Sequence, residues 1–153
     1  MGSPPKSEDP VATPEDLTKY DGVLFGIPTR YGMMAAQMKA FWDSTGSLWQ
    51  AGALVGKPAG IFVSTGTQGG GQETTALTAL THLSHHGMIY VSMGYINPLM
   101  FDNSEVRGAS AYGPGTLAGA DGSRQPSANE LTLCRDYGGH FATVSSNLKK
   151  GRE

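Results

Sequence analysis

Val23-Leu24-Phe25-Gly26-Ile27 is an unbroken apolar run, and Pro28-Thr29-Arg30-Tyr31-Gly32 follows it directly. Apolar residues without alternation suit a strand covered on both faces, as in a parallel sheet. Pro28 is expected to stop that strand, since it brings no N–H to a ladder. The residues after it then form a loop at the strand's carboxyl end. Helical spacing resumes at once. Met34, Met38, Phe41 and Trp42 fall at i, i+4, i+7 and i+8, which predicts a helix over 33–44 with one apolar side.

The same order recurs toward the C-terminus. Residues 59–63 read as a second buried strand running into the loop Ser64-Thr65-Gly66-Thr67-Gln68-Gly69-Gly70-Gly71. A helix is predicted from Gln72 to His86, with Leu77, Leu80 and Leu83 as its apolar positions and Gly87 closing it. Residues 88–93 read as a third strand. Ser127 and Glu130 form a capping box for a last helix, whose buried stripe is expected to be Cys134, Tyr137, Phe141, Val144 and Leu148. Upstream, Thr13-Pro14-Glu15-Asp16 is a helix start cut short by Asp21-Gly22. Residues 46–58 read as a connection that carries Trp49 in a loop. Residues 94–126 are too long for a plain connector, which suggests function or an interface. The expectation is an irregular leader over 1–12 and one α/β domain over 13–150, with right-handed crossovers and a parallel sheet.

Composition narrows the function classes. A net charge of -2 on 153 residues argues against a nucleic-acid binder, which needs a basic face. It is also too mild for the acidic docking surface of a one-electron carrier. The single cysteine, Cys134, permits no intrachain disulfide and suits a cytoplasmic setting. Residues 1–9 are polar, without the apolar core of a secretion signal.

Ligands of parallel sheets bind beyond the carboxyl ends of the strands. Both loops named above fall there, and each precedes a helix. The Ser64–Gly71 loop offers backbone N–H groups and small hydroxyls beside a helix N-terminus, a combination that binds anions or polar ring edges. It has no Walker lysine. Its plainer role is a surface turn. Arg30 could hold an anion and Tyr31 could pack on a planar ring; otherwise Arg30 is simply solvated. Trp49 suits a lid over a planar substrate or ordinary packing. His85 and His86 can satisfy carbonyls at a helix end, or His86 can lean toward a ligand. His82 and His140 have no metal-ligand spacing, so no metal site is expected.

Gly26-Ile27-Pro28-Thr29-Arg30-Tyr31-Gly32, the Ser64–Thr74 stretch, His85-His86-Gly87-Met88 and Gly122-Ser123-Arg124-Gln125-Pro126 together resemble the WrbA-type quinone reductases, above all their plant and algal members. The resemblance runs to about Lys150. It implies a flavodoxin-like three-layer α/β/α fold that binds FMN. It further implies two-electron, ping-pong reduction of quinones by NADH or NADPH, in a dimer or tetramer, with docking at a membrane surface as a further expectation. It places Pro28, Thr29, Arg30, Tyr31 and Gly32 beside the flavin. Ser64, Thr65, Gly66, Thr67, Gln68, Gly69 and Gly70 would surround the flavin's ring and ribityl chain. By the same resemblance His86 contacts FMN, and Trp49 lines the pocket shared by nicotinamide and quinone. Residues 1–7 resemble the middle of the family sequence, not its start. The expected sheet therefore lacks the family's first two strands and its phosphate loop, and exposes an apolar edge. An inactive subunit or interaction module of the same family is the alternative expectation.

Overall fold

The computed structural model describes residues 7–152, so half of the expected leader, 1–6, lies outside the described residues; 7–12 carry no helix or strand. The elements are α1 (Asp16–Lys19), β1 (Val23–Arg30), β2 (Met33–Met34), α2 (Ala36–Asp43), α3 (Gly46–Gln50), β3 (Pro58–Thr65), α4 (Gln72–His85), β4 (Ile89–Tyr90), a 3-10 turn (Pro98–Phe101), β5 (Gly115–Leu117) and α5 (Ala128–Lys150).

β3 is the centre of the sheet. β1 runs parallel along one edge of it, from Val23 opposite Ala59 to Pro28 opposite Ser64. Two short parallel strands share the other edge: β4 at Pro58 and Ala59, and β5 at Val63 to Thr65. Neither pairs at Ile61. Tyr137 of α5 fills that gap. Its hydroxyl accepts the Ile61 N–H at 3.2 Å and donates to the Val91 carbonyl at 2.7 Å. Burial pushes this phenol up to about 12, so it stays a donor at any physiological pH. Gly60 makes room for it, since a Cβ there would stand 2.2 Å from the Tyr137 oxygen. Tyr137→Phe therefore leaves one N–H and one carbonyl unpaired in the interior, and should lower stability by about 2 kcal/mol. Urea unfolding would read this as a lower midpoint at unchanged slope; an unaltered midpoint would mean that water replaces the hydroxyl.

One face of the sheet carries Phe25, Ile27, Ile61 and Val63. They pack with Trp42 of α2 and with Ala76, Ala79 and Leu83 of α4. Phe25 and Trp42 lie 4.9 Å apart between ring centroids. The other face is covered by α5 alone, which buries Leu133, Tyr137 and Phe141. The three expected layers thus exist over β3. Beside β1 the second face is bare: Leu24 is 38% and Phe62 41% exposed. Among the described residues β1 also has no strand partner along Val23–Pro28 opposite β3, as the expectation of an open apolar edge has it. A groove of about 610 Å³ follows this edge, lined by Val23, Leu24, Phe25, Met38 and Phe41 among others.

Several local expectations are corrected. Pro28 does not stop β1, because an edge strand tolerates a residue without an N–H. The helix expected from residue 33 starts at Ala36. Tyr31 and Gly32 both have positive φ (55° and 77°), giving a two-residue hairpin turn that folds Met33–Met34 back onto Thr29–Arg30. Trp49 sits on α3, not in a loop. On α4 the buried side is Thr75, Ala76, Ala79 and Leu83, while Leu77 is exposed. Small residues win there because they let α4 lie close to the sheet. Cys134 is exposed, the stripe of α5 being set one residue earlier by Leu133. The third strand shrinks to Ile89–Tyr90, and the 94–126 segment contributes β5.

Candidate active-site crevice

The two carboxyl-end loops meet. The Thr75 hydroxyl donates to Thr29 Oγ1 at 2.8 Å, and the Gly32 N–H donates to the same oxygen at 3.1 Å. Gly71, with φ of 103°, lies so close to Gly32 that a Cβ on it would stand 2.8 Å from the Gly32 Cα. The loops touch backbone to backbone, and only glycines permit that. At the hairpin tip Tyr31 is 98% exposed in a left-handed conformation that costs a non-glycine residue about 1 kcal/mol. An exposed aromatic held there suits contact with a flat partner. Arg30 is also exposed, its guanidinium donating to the Thr29 carbonyl at 2.8 Å.

In the second loop Thr65 is buried and Ser64 half-buried, while Gly66, Thr67, Gln68 and Gly69 are open to solvent. The Thr65 hydroxyl donates to the Thr67 carbonyl at 2.7 Å, and the Gly70 N–H closes a turn on the same carbonyl at 3.1 Å. β5 continues the wall: the Ala118 N–H donates to the Thr65 carbonyl and the Gly119 N–H to the Gly66 carbonyl. The N-cap of α4 is Gly71, which has no side chain to cap it, so the first-turn N–H groups and partial positive charge face the loop. Exposed hydroxyls, an uncapped helix start, an aromatic tip and glycine surfaces fit a planar group with polar edges, as a flavin is. Thr29, Tyr31 and the Thr65–Gly70 loop are the residues that would hold it.

Sequence reasoning undervalued two side chains here. In the sequence Glu130 shows only as half of a capping box. Its carboxylate also receives the Gly108 N–H (2.8 Å), the Thr116 hydroxyl (2.8 Å) and Arg124 (3.0 Å). In the sequence Gln72 shows only as a helix start, yet its amide reaches Thr65, Ala109 and Thr116. The signal for Glu130 was the motif around Arg124, a cation beside the cap.

His86 and Trp49 do not join this crevice within one chain. α4 has 14 residues, about 21 Å at 1.5 Å per residue. The loop lies at its start and His86 at its end, beside the amino-terminal ends of the strands. His86 does not lean toward a crevice ligand; it is buried, 5.6 Å from Trp42 between ring centroids. Its Nε2 lies 2.8 Å from Thr45 Oγ1, whose own hydrogen goes to the Trp42 carbonyl. The imidazole therefore donates through Nε2, leaving a buried Nδ1 lone pair with no hydrogen-bond partner among the described residues. Burial, then the neighbouring His85, hold its pKa below the ordinary value, so the ring is neutral at pH 7. Trp49, 58% exposed, shares with His86 a cleft of about 410 Å³ that also touches Lys39, His82 and His85. Among the described residues no cluster of three His, Cys, Asp or Glu could hold a metal.

A family model described as NADPH-dependent FMN reductase matches residues 3–98. The chain is 60% identical to a quinone oxidoreductase of Triphysaria versicolor, over 98% of this chain and 74% of that protein. It is 57% identical to a probable NAD(P)H dehydrogenase (quinone) of Arabidopsis thaliana, over 97% of this chain and 55% of that one. It is 51% identical to an NAD(P)H quinone oxidoreductase of Candida albicans, over 97% and 74%. A crystal structure of a WrbA-like flavodoxin from Agrobacterium tumefaciens superposes with a TM-score of 0.66 at 24% identity, covering 87% of this chain and 71% of the other, which shows a flavodoxin-like fold. A family model over more than half of the chain, with relatives this similar, means that the chain belongs to the NADPH-dependent FMN reductase family, among its NAD(P)H quinone oxidoreductases.

Proposed function

We propose that this chain uses FMN to reduce quinones with electrons from NADH or NADPH. The observation that carries the reading is the junction of the two carboxyl-end loops, with Tyr31 exposed at its rim. The chemistry FMN supplies when bound is two-electron hydride exchange between a nicotinamide and a quinone. The protein's share is to hold and orient. Thr29 and Thr75 fix the hairpin against α4, the Thr65–Gly70 loop offers polar contacts, and Tyr31 offers a flat apolar surface. Titration with FMN, followed by NAD(P)H–quinone turnover, tests the reading. Failure of the folded chain to bind FMN would instead favour an inactive subunit or interaction module, a reading that rests on the open β1 edge.

The second element is assembly. Trp49 and His86 line a cleft at the far end of α4 from the crevice, so both can serve one active centre only when two copies meet. A homo-oligomer with sites shared between copies is the consequence. Trp49→Ala should cut quinone turnover at least tenfold while FMN retention stays within twofold of the parent, because tryptophan supplies contact area to the substrate side alone. Parallel loss of both quantities would refute the role. Sedimentation of the intact protein should give a dimer or tetramer.

A further inference from the structure

We infer that Gln72 is a positioning residue whose amide sets the spacing between the loop after β3 and the end of β5. The inference rests on the proposed function for its purpose, and on geometry for its content. Nε2 of Gln72 donates to Thr65 Oγ1 at 2.8 Å and to the Thr116 carbonyl at 3.0 Å. Oε1 accepts the Ala109 N–H at 3.2 Å. The orientation is forced. Thr65 spends its hydrogen on the Thr67 carbonyl, so toward Gln72 it can only accept. The Thr116 carbonyl likewise accepts, and the Ala109 N–H can only donate. One amide therefore ties Thr65, 7 residues before it, to Ala109 and Thr116, 37 and 44 residues after it.

Two further features fit the tie. Ala109 has φ of 82°, a left-handed conformation that needs support in a non-glycine residue. Its N–H finds that support on Gln72. Gly115 is bare where Gln72 passes, since a Cβ there would stand 2.1 Å from Oε1. Gln72 is also the first residue of α4, yet it caps nothing in its own helix. The first-turn N–H groups stay open toward the loop, while the side chain holds that loop against β5. The β3–β5 ladder already pairs Ser64 with Thr116 and Thr65 with Leu117, and the amide adds the side-chain link from Thr65 Oγ1 to the Thr116 carbonyl.

Gln72→Glu keeps the size and the acceptor but puts carboxylate oxygens against two acceptors. Protonation restores one donor. Hydrogen exchange of the flavin-free chain reads the consequence, each variant being compared with the parent at the same pH. In Gln72→Glu the amides of Gly70, Ala118 and Gly119, which donate to the Thr67, Thr65 and Gly66 carbonyls, should exchange at least tenfold faster at pH 7.5, and most of the protection should return at pH 5. Gln72→Ala should be fast at both values. Amides in the middle of α5 should keep parental rates in both variants, and FMN affinity measured at pH 7.5 should fall at least tenfold in each. Parental loop exchange in Gln72→Glu, no recovery at pH 5, or acceleration spread equally into α5 would each overturn the inference. If the parent itself binds no FMN, the proposed function falls, while the exchange result still decides the role of Gln72 in the loop.

Discussion

Glu130→Ala is expected to remove about 3 kcal/mol of stability, the cost of taking one partner from a buried ion pair and leaving its hydrogen-bond donors unmatched. Glu130 is 3% exposed. Burial alone would raise the pKa of its carboxyl. Arg124, the N–H groups of Gly108 and Ser127 and the Thr116 hydroxyl outweigh it, so the group lies below the ordinary carboxylate value. The alanine variant strands two backbone donors and a guanidinium at the junction of β5, the 108–110 segment and the start of α5. For a domain of this size the loss corresponds to a melting temperature about 10 °C lower. The pH dependence follows from the direction of the shift. A depressed folded-state pKa gives stabilisation that is fully present above the unfolded value, near 4.5, and fades as pH falls through the lower folded value. The parent should thus lose stability below pH 4.5 more steeply than Glu130→Gln, which has no proton to take up. Denaturant unfolding of all three proteins at pH 7 and pH 4 decides it. A loss under 1 kcal/mol in the alanine variant would mean that solvent, reached through the partly exposed Arg124, screens the cluster.

That cluster also explains which parts of the fold could be read from the sequence. β1 and β3 announced themselves as apolar runs, and α5 by its capping box, because burial on both faces and helix capping leave local marks. β5 leaves none. Gly115-Thr116-Leu117 is three residues long, opens on a glycine and is too short to show a period; it is a strand because Val63–Thr65, Gln72 and Glu130 hold it from three sides. The 31–34 hairpin was hidden because Met34 falls on the helical spacing of Met38 and Trp42, although its burial comes from β2. Leu77 and Cys134 misled for a related reason. Hydrophobicity marked one side of each helix, while close approach to the sheet chose Ala76, Ala79 and Leu133 instead. In the site, the two loops were legible from their place after strands. The separation of His86 and Trp49 from them was not, since it depends on which end of α4 each element reaches.

Gly71→Ala should weaken FMN binding at least tenfold, through two effects at one atom. At φ 103° an L-residue with a side chain is outside its ordinary conformations, which costs roughly 1–2 kcal/mol. The added methyl would also stand 2.8 Å from the Gly32 Cα and 3.1 Å from Thr74 Oγ1. Backbone cannot turn away as a side chain can, so overpacking adds roughly 1–2 kcal/mol more. The chain can relieve this by parting the two loops or by starting α4 later. Parting the loops breaks the Thr75–Thr29 hydrogen bond; a late start moves the uncapped N–H groups off the crevice. Either change spoils a surface that must be in place before a ligand arrives, and a loss of 1.4 kcal/mol is already tenfold in affinity. Gly139→Ala is the matched control. It adds the same methyl on the exposed side of α5, away from the crevice, at a residue with no atom within 4 Å, so its affinity should stay within twofold of the parent. Flavin fluorescence titrations of the three proteins separate the cases. Equal affinities for Gly71→Ala and the parent would remove the loop junction from the site, whereas equal losses in both variants would show that an added methyl anywhere in the chain, and not the contact with Gly32, lowers binding.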